Sequence, residues 1–272
     1  MYKVVNKLYK ALILGGDVSL SVLDTRQLVQ DGRDIHKLDD RHAELLGGLL
    51  TAGAYMAGCL KSDQGAISIT VKSNDGSASA SVSGDVNGHI RGYIEGDGLK
   101  GGTMNVIKED GFFRPFNGIC ELKSDDISEN LMQYFQMSEQ IDTAVWIRTK
   151  VTDGVCEYAG GVVMQIMPGA KEEHMQAAED LMQQISGEEF TSGEEIIHRY
   201  FPDIEEQNLY ILFPEYKCNC SRKKIADIIV SLGQEEAGSI IDEYGKISVH
   251  CHYCNKDYVF NYNDVERLFS RK

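Results

Sequence analysis

Four of the seven cysteines lie in two close pairs toward the end of the sequence. One residue separates Cys218 from Cys220, two separate Cys251 from Cys254, and thirty residues lie between the pairs. Zn²⁺ is held tetrahedrally by thiolates from two such turns, whereas hard cations prefer oxygen ligands. The spacing therefore predicts one zinc ion bound by Cys218, Cys220, Cys251 and Cys254.

The single residue between Cys218 and Cys220 also indicates redox chemistry. A disulfide between such close cysteines closes a small, strained ring, and strain makes a disulfide easier to reduce again. Coordinated thiolates are already ionised, so oxidants attack them. Oxidation would expel the metal and remove its contribution to folding, on the order of 10 kcal/mol. We therefore predict that the site is a redox switch as well as a structural one.

Other candidate ligands lie beside the second pair. His250 and His252 flank Cys251, but four cysteines already complete a tetrahedral site. We therefore interpret both histidines as bystanders. The remaining cysteines lie in apolar or strand-like sequence, where buried structural thiols are expected. These cysteines are Cys59, Cys120 and Cys156.

The two pairs belong to the last of three regions that differ in composition. Residues 217–272 contain nine basic and eight acidic residues. A helix is predicted over residues 221–232, with Ser221 as its N-cap and Gly233 as its stop. Short strands are predicted over residues 246–249 and 258–260. A region of this size has a small core, so a bound metal would supply much of its stability.

The preceding region, residues 171–216, is strongly acidic. It contains twelve acidic and two basic residues, and so carries −10 of the net charge of −15. Apolar residues nevertheless recur at helical spacing from Met175 to Ile185, which predicts an amphipathic helix. One interpretation is a solvated helical face. The other is a marginally stable element that detaches, because like charges repel and little basic charge compensates them.

The first region, residues 1–170, is predicted to be a mixed α and β core domain. Apolar runs over residues 66–71 and 144–148 predict strands, and glycines between such runs predict turns. Helical periodicity predicts helices over residues 39–60 and 127–137. The predicted fold class is thus α+β, with a core domain (1–170), an acidic helical linker (171–216) and a zinc domain (217–272).

Composition excludes several classes of protein. The net charge of −15 disfavours nucleic-acid binding and attraction to anionic membranes. No apolar run approaches the roughly twenty residues of a membrane helix, and residues 1–7 lack the features of a secretory signal. A cytoplasmic location is expected. No phosphate-binding glycine loop, nucleophile elbow or paired-histidine motif is present, so we predict no enzymatic activity.

Motifs along nearly the whole chain are specific in combination. Those of the last region are Cys218-Asn219-Cys220-Ser221-Arg222-Lys223-Lys224-Ile225, Leu232-Gly233-Gln234-Glu235-Glu236 and Cys251-His252-Tyr253-Cys254-Asn255-Lys256. Those of the first are Arg91-Gly92-Tyr93-Ile94, Tyr134-Phe135 with Ser138-Glu139-Gln140, and Gly160-Gly161 with Met164-Gln165-Ile166-Met167-Pro168-Gly169-Ala170. Together they resemble the redox-regulated 33-kDa heat shock chaperones of bacteria. One departure is Gly96-Asp97-Gly98, where a proline and a longer connection are expected.

The resemblance implies a holding chaperone that needs no ATP. In that family the reduced, zinc-bound form is compact and inactive. Oxidation pairs neighbouring cysteines, which here are Cys218 with Cys220 and Cys251 with Cys254. Zinc leaves, the tail and linker unfold, and apolar surface becomes available to unfolding client proteins. Activated molecules of the family can dimerise.

Two other functions remain open on the residues alone. A zinc-ribbon protein that binds nucleic acid would need basic and aromatic residues around the cysteines, and Arg222, Lys223 and Lys224 form only a small basic cluster. A thiol-disulfide oxidoreductase would use Cys251 and Cys254, but such enzymes place the pair at a helix N-terminus. Here a predicted strand follows the pair.

Overall fold

The computed structural model describes residues 5–96, 98–99, 101–110 and 115–270, with Glu206 described by its backbone alone. The chain divides into two compact units, Met1–Lys217 and Cys218–Lys272. Both contain helices and antiparallel sheet, which confirms the predicted α+β fold class. Among the described residues, no helix combines the length and apolar character that crossing a bilayer requires. Asp97, part of the departure noted above, lies outside the described residues.

The first unit contains eleven of the described strands and five of the described helices. The strands are β1 (Lys7–Ile13), β2 (Val18–Asp24), β3 (Ala66–Ser73), β4 (Ser79–Asp85), β5 (His89–Glu95), β6 (Gly102–Glu109), β7 (Phe116–Glu121), β8 (Thr143–Thr152), β9 (Val155–Ile166), β10 (Tyr210–Leu212) and β11 (Glu215–Tyr216). The helices are α1 (Arg26–His36), α2 (Asp40–Ala57), α3 (Ile127–Tyr134), α4 (Glu172–Ser186) and α5 (Gly193–Tyr200).

The strands of the first unit form two sheets. One has the order β10-β1-β2-β9-β8 and is antiparallel throughout. The other has the order β11-β5-β4-β3-β6-β7, in which β11 runs parallel to β5. Strand pairs with short connections, such as β3–β4 and β8–β9, are sequence neighbours. Other pairs join distant parts of the chain: β2 pairs with β9, β3 pairs with β6, and the short strands β10 and β11 bring residues after 200 back to the edges of both sheets.

Helix α2 forms the centre of the first unit, because its side chains join one core with residues of both sheets. The Asp39 side chain caps it by accepting a hydrogen bond from the backbone N–H of His42 at 2.9 Å. A Cβ at Gly53 would lie 2.5 Å from Val82 Cγ1 of β4, and a Cβ at Gly47 would lie 2.7 Å from Thr149 Cγ2 of β8. The glycines therefore allow the helix to approach both sheets closely.

The acidic segment (residues 171–216) packs against the opposite face of the β1–β2–β9–β8 sheet. A second core joins that face, through residues such as Leu20, Trp146 and Val162, to Met182 and Ile185 of α4 and to other residues of the segment. The amphipathic helix predicted from Met175 to Ile185 is thereby confirmed as α4. The boundary at residue 170 between a core domain and a linker stays a prediction.

Strand β11 at the end of the acidic segment is fixed through Tyr216. Its hydroxyl donates to the carbonyl of Gly92 at 2.6 Å and accepts from the amide of the same residue at 3.2 Å. The hydroxyl also lies 3.0 Å from His36 Nε2 of α1. One side chain therefore ties the end of the segment to β5 and α1.

The second unit consists of three helices and one hairpin: α6 (Arg222–Leu232), α7 (Gln234–Tyr244), β12 (Lys246–Cys251), β13 (Lys256–Asn261) and α8 (Tyr262–Ser270). Ser221 caps α6 by accepting a hydrogen bond from the Lys224 amide at 3.2 Å, and Gly233 ends it, as predicted. The predicted strands are also confirmed. The buried core is small and contains Ile225, Ile229, Ala237, Ile241, Ile247, Phe260 and Val265.

Three expectations need correction. The helix predicted over residues 39–60 ends at Ala57, and Gly58 follows as its C-cap. The helix predicted over residues 127–137 changes at Phe135 into a π-helical turn, which ends at Glu139 before the left-handed Gln140. Of the three single cysteines expected to be buried, only Cys120 is; the other two, Cys59 and Cys156, are half-buried.

Candidate metal centre

The first cysteine pair is placed by the start of α6. Arg222, the first residue of that helix, donates to the carbonyl of Val259 on β13 at 2.8 Å. It also pairs with Asp264 of α8 at 2.9 Å, and its guanidinium lies 4.1 Å from the Phe260 ring centroid. Cys220, two residues earlier in the chain, is thereby held beside the hairpin. In the sequence Arg222 stands out only as part of a small basic cluster with Lys223 and Lys224, which does not indicate this role.

The second pair lies at the turn of the β12–β13 hairpin. Cys251 is the last residue of β12 and pairs with Lys256. Its carbonyl accepts hydrogen bonds from the backbone N–H groups of Cys254 at 3.3 Å and Asn255 at 2.8 Å. Asn255 has a left-handed backbone (φ 55°), which asparagine tolerates better than most residues. The turn therefore directs Cys251 and Cys254 to the same side of the hairpin.

The four cysteine sulfurs converge on one point, with all ligand atoms within 4.8 Å of one another. Cys218 Sγ lies 3.7 Å from Cys251 Sγ, and Cys220 Sγ lies 3.2 Å from Cys254 Sγ. A tetrahedral zinc site with Zn–S bonds of about 2.3 Å has sulfur–sulfur edges of roughly 3.8 Å. The first distance matches that edge and the second is shorter. The donor set and its spacing thus fit a tetrahedral metal, and these four residues could hold one.

Tyr258 supplies a fifth polar group at the cluster, and no motif in the sequence points to it. Its hydroxyl lies 3.0 Å from Cys220 Sγ, although the two residues are 38 positions apart in the chain. The ring sits on β13 opposite Val249 and packs against the core of the second unit. Finding this contact requires the register of the hairpin relative to the turn before α6.

The electrostatics distinguish the sulfurs from one another. Burial raises the pKa of the Cys218 thiol to about 11, and burial with the neighbouring thiols also raises the pKa of Cys254. Burial acts in the same sense on Cys220, but hydrogen bonds from Tyr258 and from Cys254 outweigh it and lower the Cys220 pKa to about 7. The same contact raises the pKa of Tyr258 to about 12.

The flanking histidines stand apart from the sulfurs. His250 Nδ1 lies 2.8 Å from Asp257 Oδ1, and the His250 ring centroid lies 5.2 Å from that of His252, edge to face. Throughout the described residues, the only cluster of potential metal ligands found is the one formed by the four cysteines. The interpretation of both histidines as bystanders stays a prediction.

Comparison with known proteins defines the class of the chain. The family model described as "Hsp33 protein" matches residues 6–261. The 33 kDa chaperonin of Clostridium botulinum strain Hall is 31% identical over 295 aligned positions, which cover 98% of this chain and 99% of that protein. The 33 kDa chaperonin of Clostridium perfringens strain SM101 is 29% identical, with 98% and 92% covered.

The fold agrees with these relatives. The crystal structure of the 33 kDa chaperonin (heat shock protein 33 homologue) of Thermotoga maritima superposes with a TM-score of 0.80 at 23% identity, covering 98% of each chain. The α+β fold of this chain is thus shared with a 33 kDa chaperonin. This chain belongs to the Hsp33 family.

Proposed function

We propose that this protein is a redox-regulated holding chaperone that binds unfolding client proteins without ATP. The observation that carries the proposal is the convergence of four half-buried sulfurs, from two separate turns, inside a unit with a small core. Such a unit depends on a metal for its stability. Chemistry at the sulfurs therefore controls whether the unit is folded.

In the resting state Cys218, Cys220, Cys251 and Cys254 would hold one Zn²⁺. The ion, when bound, cross-links the turn before α6 to the hairpin and leaves no coordination position open. Half-burial leaves the sulfurs within reach of small oxidants. A reducing compartment such as the cytoplasm keeps these thiolates available for the metal.

Oxidation forms two disulfides, Cys218–Cys220 and Cys251–Cys254. Each consumes one hydrogen peroxide: two thiolates lose two electrons to form one S–S bond, and the peroxide takes up two protons and becomes two water molecules. Both pairings join sulfurs of the same cluster, in which Cys220 Sγ also lies 3.2 Å from Cys254 Sγ. A disulfide sulfur is a poor metal ligand, so the ion leaves.

Metal loss unfolds the second unit, and we propose that the acidic segment then detaches. The segment carries ten negative charges in excess, so its own repulsion favours release. Release would expose apolar residues on both partners, among them Met182 and Phe190 on the segment and Trp146 on the sheet. Clients would bind this apolar surface, and two activated chains could also associate through it.

The test treats reduced protein with peroxide under mild heating, or with hypochlorous acid, and follows light scattering by an unfolding client. We expect suppression of aggregation only after oxidation, and its loss after treatment with a thiol reductant and zinc. Peptide mapping of the oxidised chain should show the two neighbour disulfides. The proposal fails if reduced, zinc-bound protein suppresses aggregation equally well.

A further inference from the structure

We infer that Tyr258 is a positioning residue for the metal centre: its hydroxyl donates a hydrogen bond to the Cys220 thiolate, which strengthens metal binding and slows attack by oxidants. The inference rests on the proposed metal site. It concerns a side chain outside the four ligands, and it assigns different reactivity to cysteines that are otherwise chemically alike.

The geometry supports a donor role for the phenol. Tyr258 Oη lies 3.0 Å from Cys220 Sγ, within hydrogen-bond range for a contact to sulfur. A metal-bound cysteine is a thiolate and has no proton to give, so the O–H group must be the donor. The half-buried Tyr258 ring packs against the core of the second unit, which restricts the motion of the side chain.

The position of Tyr258 also links the two halves of the site. Its strand, β13, follows directly from the turn with Cys251 and Cys254, whereas Cys220 precedes α6. The neighbouring residue Val259 accepts a hydrogen bond from Arg222 at 2.8 Å. Two successive residues of the hairpin therefore contact the segment around the first cysteine pair: Tyr258 contacts the Cys220 sulfur, and the Val259 carbonyl accepts from Arg222.

The hydrogen bond has two chemical consequences. It orients Cys220 Sγ, and partners of metal ligands of this kind typically contribute about 10–100-fold to metal affinity. It also withdraws negative charge from the sulfur, and that charge is what attacks a peroxide oxygen. Removing the hydroxyl should therefore weaken metal binding and accelerate oxidative zinc release.

The experiment compares the full chain with Tyr258→Phe and with Tyr262→Phe, a control on an exposed tyrosine in the same unit. Zinc affinity is measured anaerobically by competition with a chromogenic chelator, and zinc release is followed after addition of hydrogen peroxide. We expect about 10-fold weaker zinc binding and faster release for Tyr258→Phe. We expect values equal to those of the unaltered chain for Tyr262→Phe.

A spectroscopic measurement separates hydrogen bonding from packing. In Co²⁺-loaded protein, loss of a hydrogen bond to a thiolate makes the sulfur easier to oxidise, so the sulfur-to-cobalt charge-transfer band should move to lower energy in Tyr258→Phe. Weaker binding without this shift would overturn the inference, as would unchanged affinity, release rate and spectrum. Failure of the unaltered chain to bind one Zn²⁺ or Co²⁺ would instead contradict the proposed function.

Discussion

Replacing a single ligand atom tests the cluster at the residue scale. In Cys218→Ser, a hydroxyl stands in place of one of four converging sulfurs, and three thiolates cannot close the site. We expect zinc content well below one per chain and loss of a folding contribution on the order of 10 kcal/mol. Hydrogen exchange should show residues 222–270 unprotected while α2 stays protected.

The matched control for this substitution is Cys59→Ser. Cys59 is also half-buried, but it lies in the first unit and contacts Lys10 Nζ at 3.7 Å, not another sulfur. This variant should keep full zinc content and full protection of the second unit. Tight binding of one zinc ion by Cys218→Ser would contradict the assignment of the ligands.

At the scale of the elements, the hydroxyl groups of Tyr9 and Tyr158 test the contact between the acidic segment and the sheet. Both lie in the core beneath α4 and α5. The Tyr9 hydroxyl donates to Glu194 Oε1 of α5 at 2.9 Å, whereas the buried Tyr158 hydroxyl has no hydrogen-bond partner among the described residues. A buried unpaired hydroxyl costs about 1–3 kcal/mol, and a made hydrogen bond contributes about 1 kcal/mol.

We therefore expect the two substitutions to change the free energy of unfolding in opposite directions, as measured by urea unfolding of the reduced protein. Tyr158→Phe should raise the free energy of unfolding of the first unit by about 1 kcal/mol, because it removes an unsatisfied group. Tyr9→Phe should lower it by about 1 kcal/mol, because it deletes a hydrogen bond to α5. Equal destabilisation by both substitutions would show that the hydroxyl of Tyr158 is satisfied in solution.

Local patterns predicted the elements better than they predicted what those elements contact. The capping residues Asp39 and Ser221 and the apolar spacing of α4 determine helices within a few turns of sequence. The face that α4 covers depends on the strand order β10-β1-β2-β9-β8, which no local pattern contains. The π-helical turn at Phe135 likewise has no local signal, because the apolar spacing continues the helix to residue 137.

The same division applies to the metal centre. The spacing alone predicts all four cysteines as ligands, because the members of each pair are close in the chain and thiolates favour zinc. The spacing does not predict the roles of Tyr258 and Arg222. Tyr258 contacts Cys220, and Arg222 contacts Val259 and Asp264, and these contacts join residues 37 to 42 positions apart in the chain. Spacing thus identifies the ligands, and the fold identifies the residues that orient and support them.

At the scale of the whole molecule, charge and metal act on different parts of the chain. The acidic segment holds most of the net charge of −15, while the cysteine-bearing region 217–272 is nearly neutral. In the proposed mechanism the metal controls the folding of the second unit, and charge repulsion favours release of the segment. The central claim is that metal loss and chaperone activity are one event.

The most direct test measures zinc content and suppression of client aggregation on the same sample during a titration with oxidant. Both should change together, ending at about one zinc released per chain and full suppression, and a thiol reductant with added zinc should reverse both. Full suppression by the reduced, zinc-loaded protein would contradict the claim. Complete zinc release without any gain in suppression would contradict it equally.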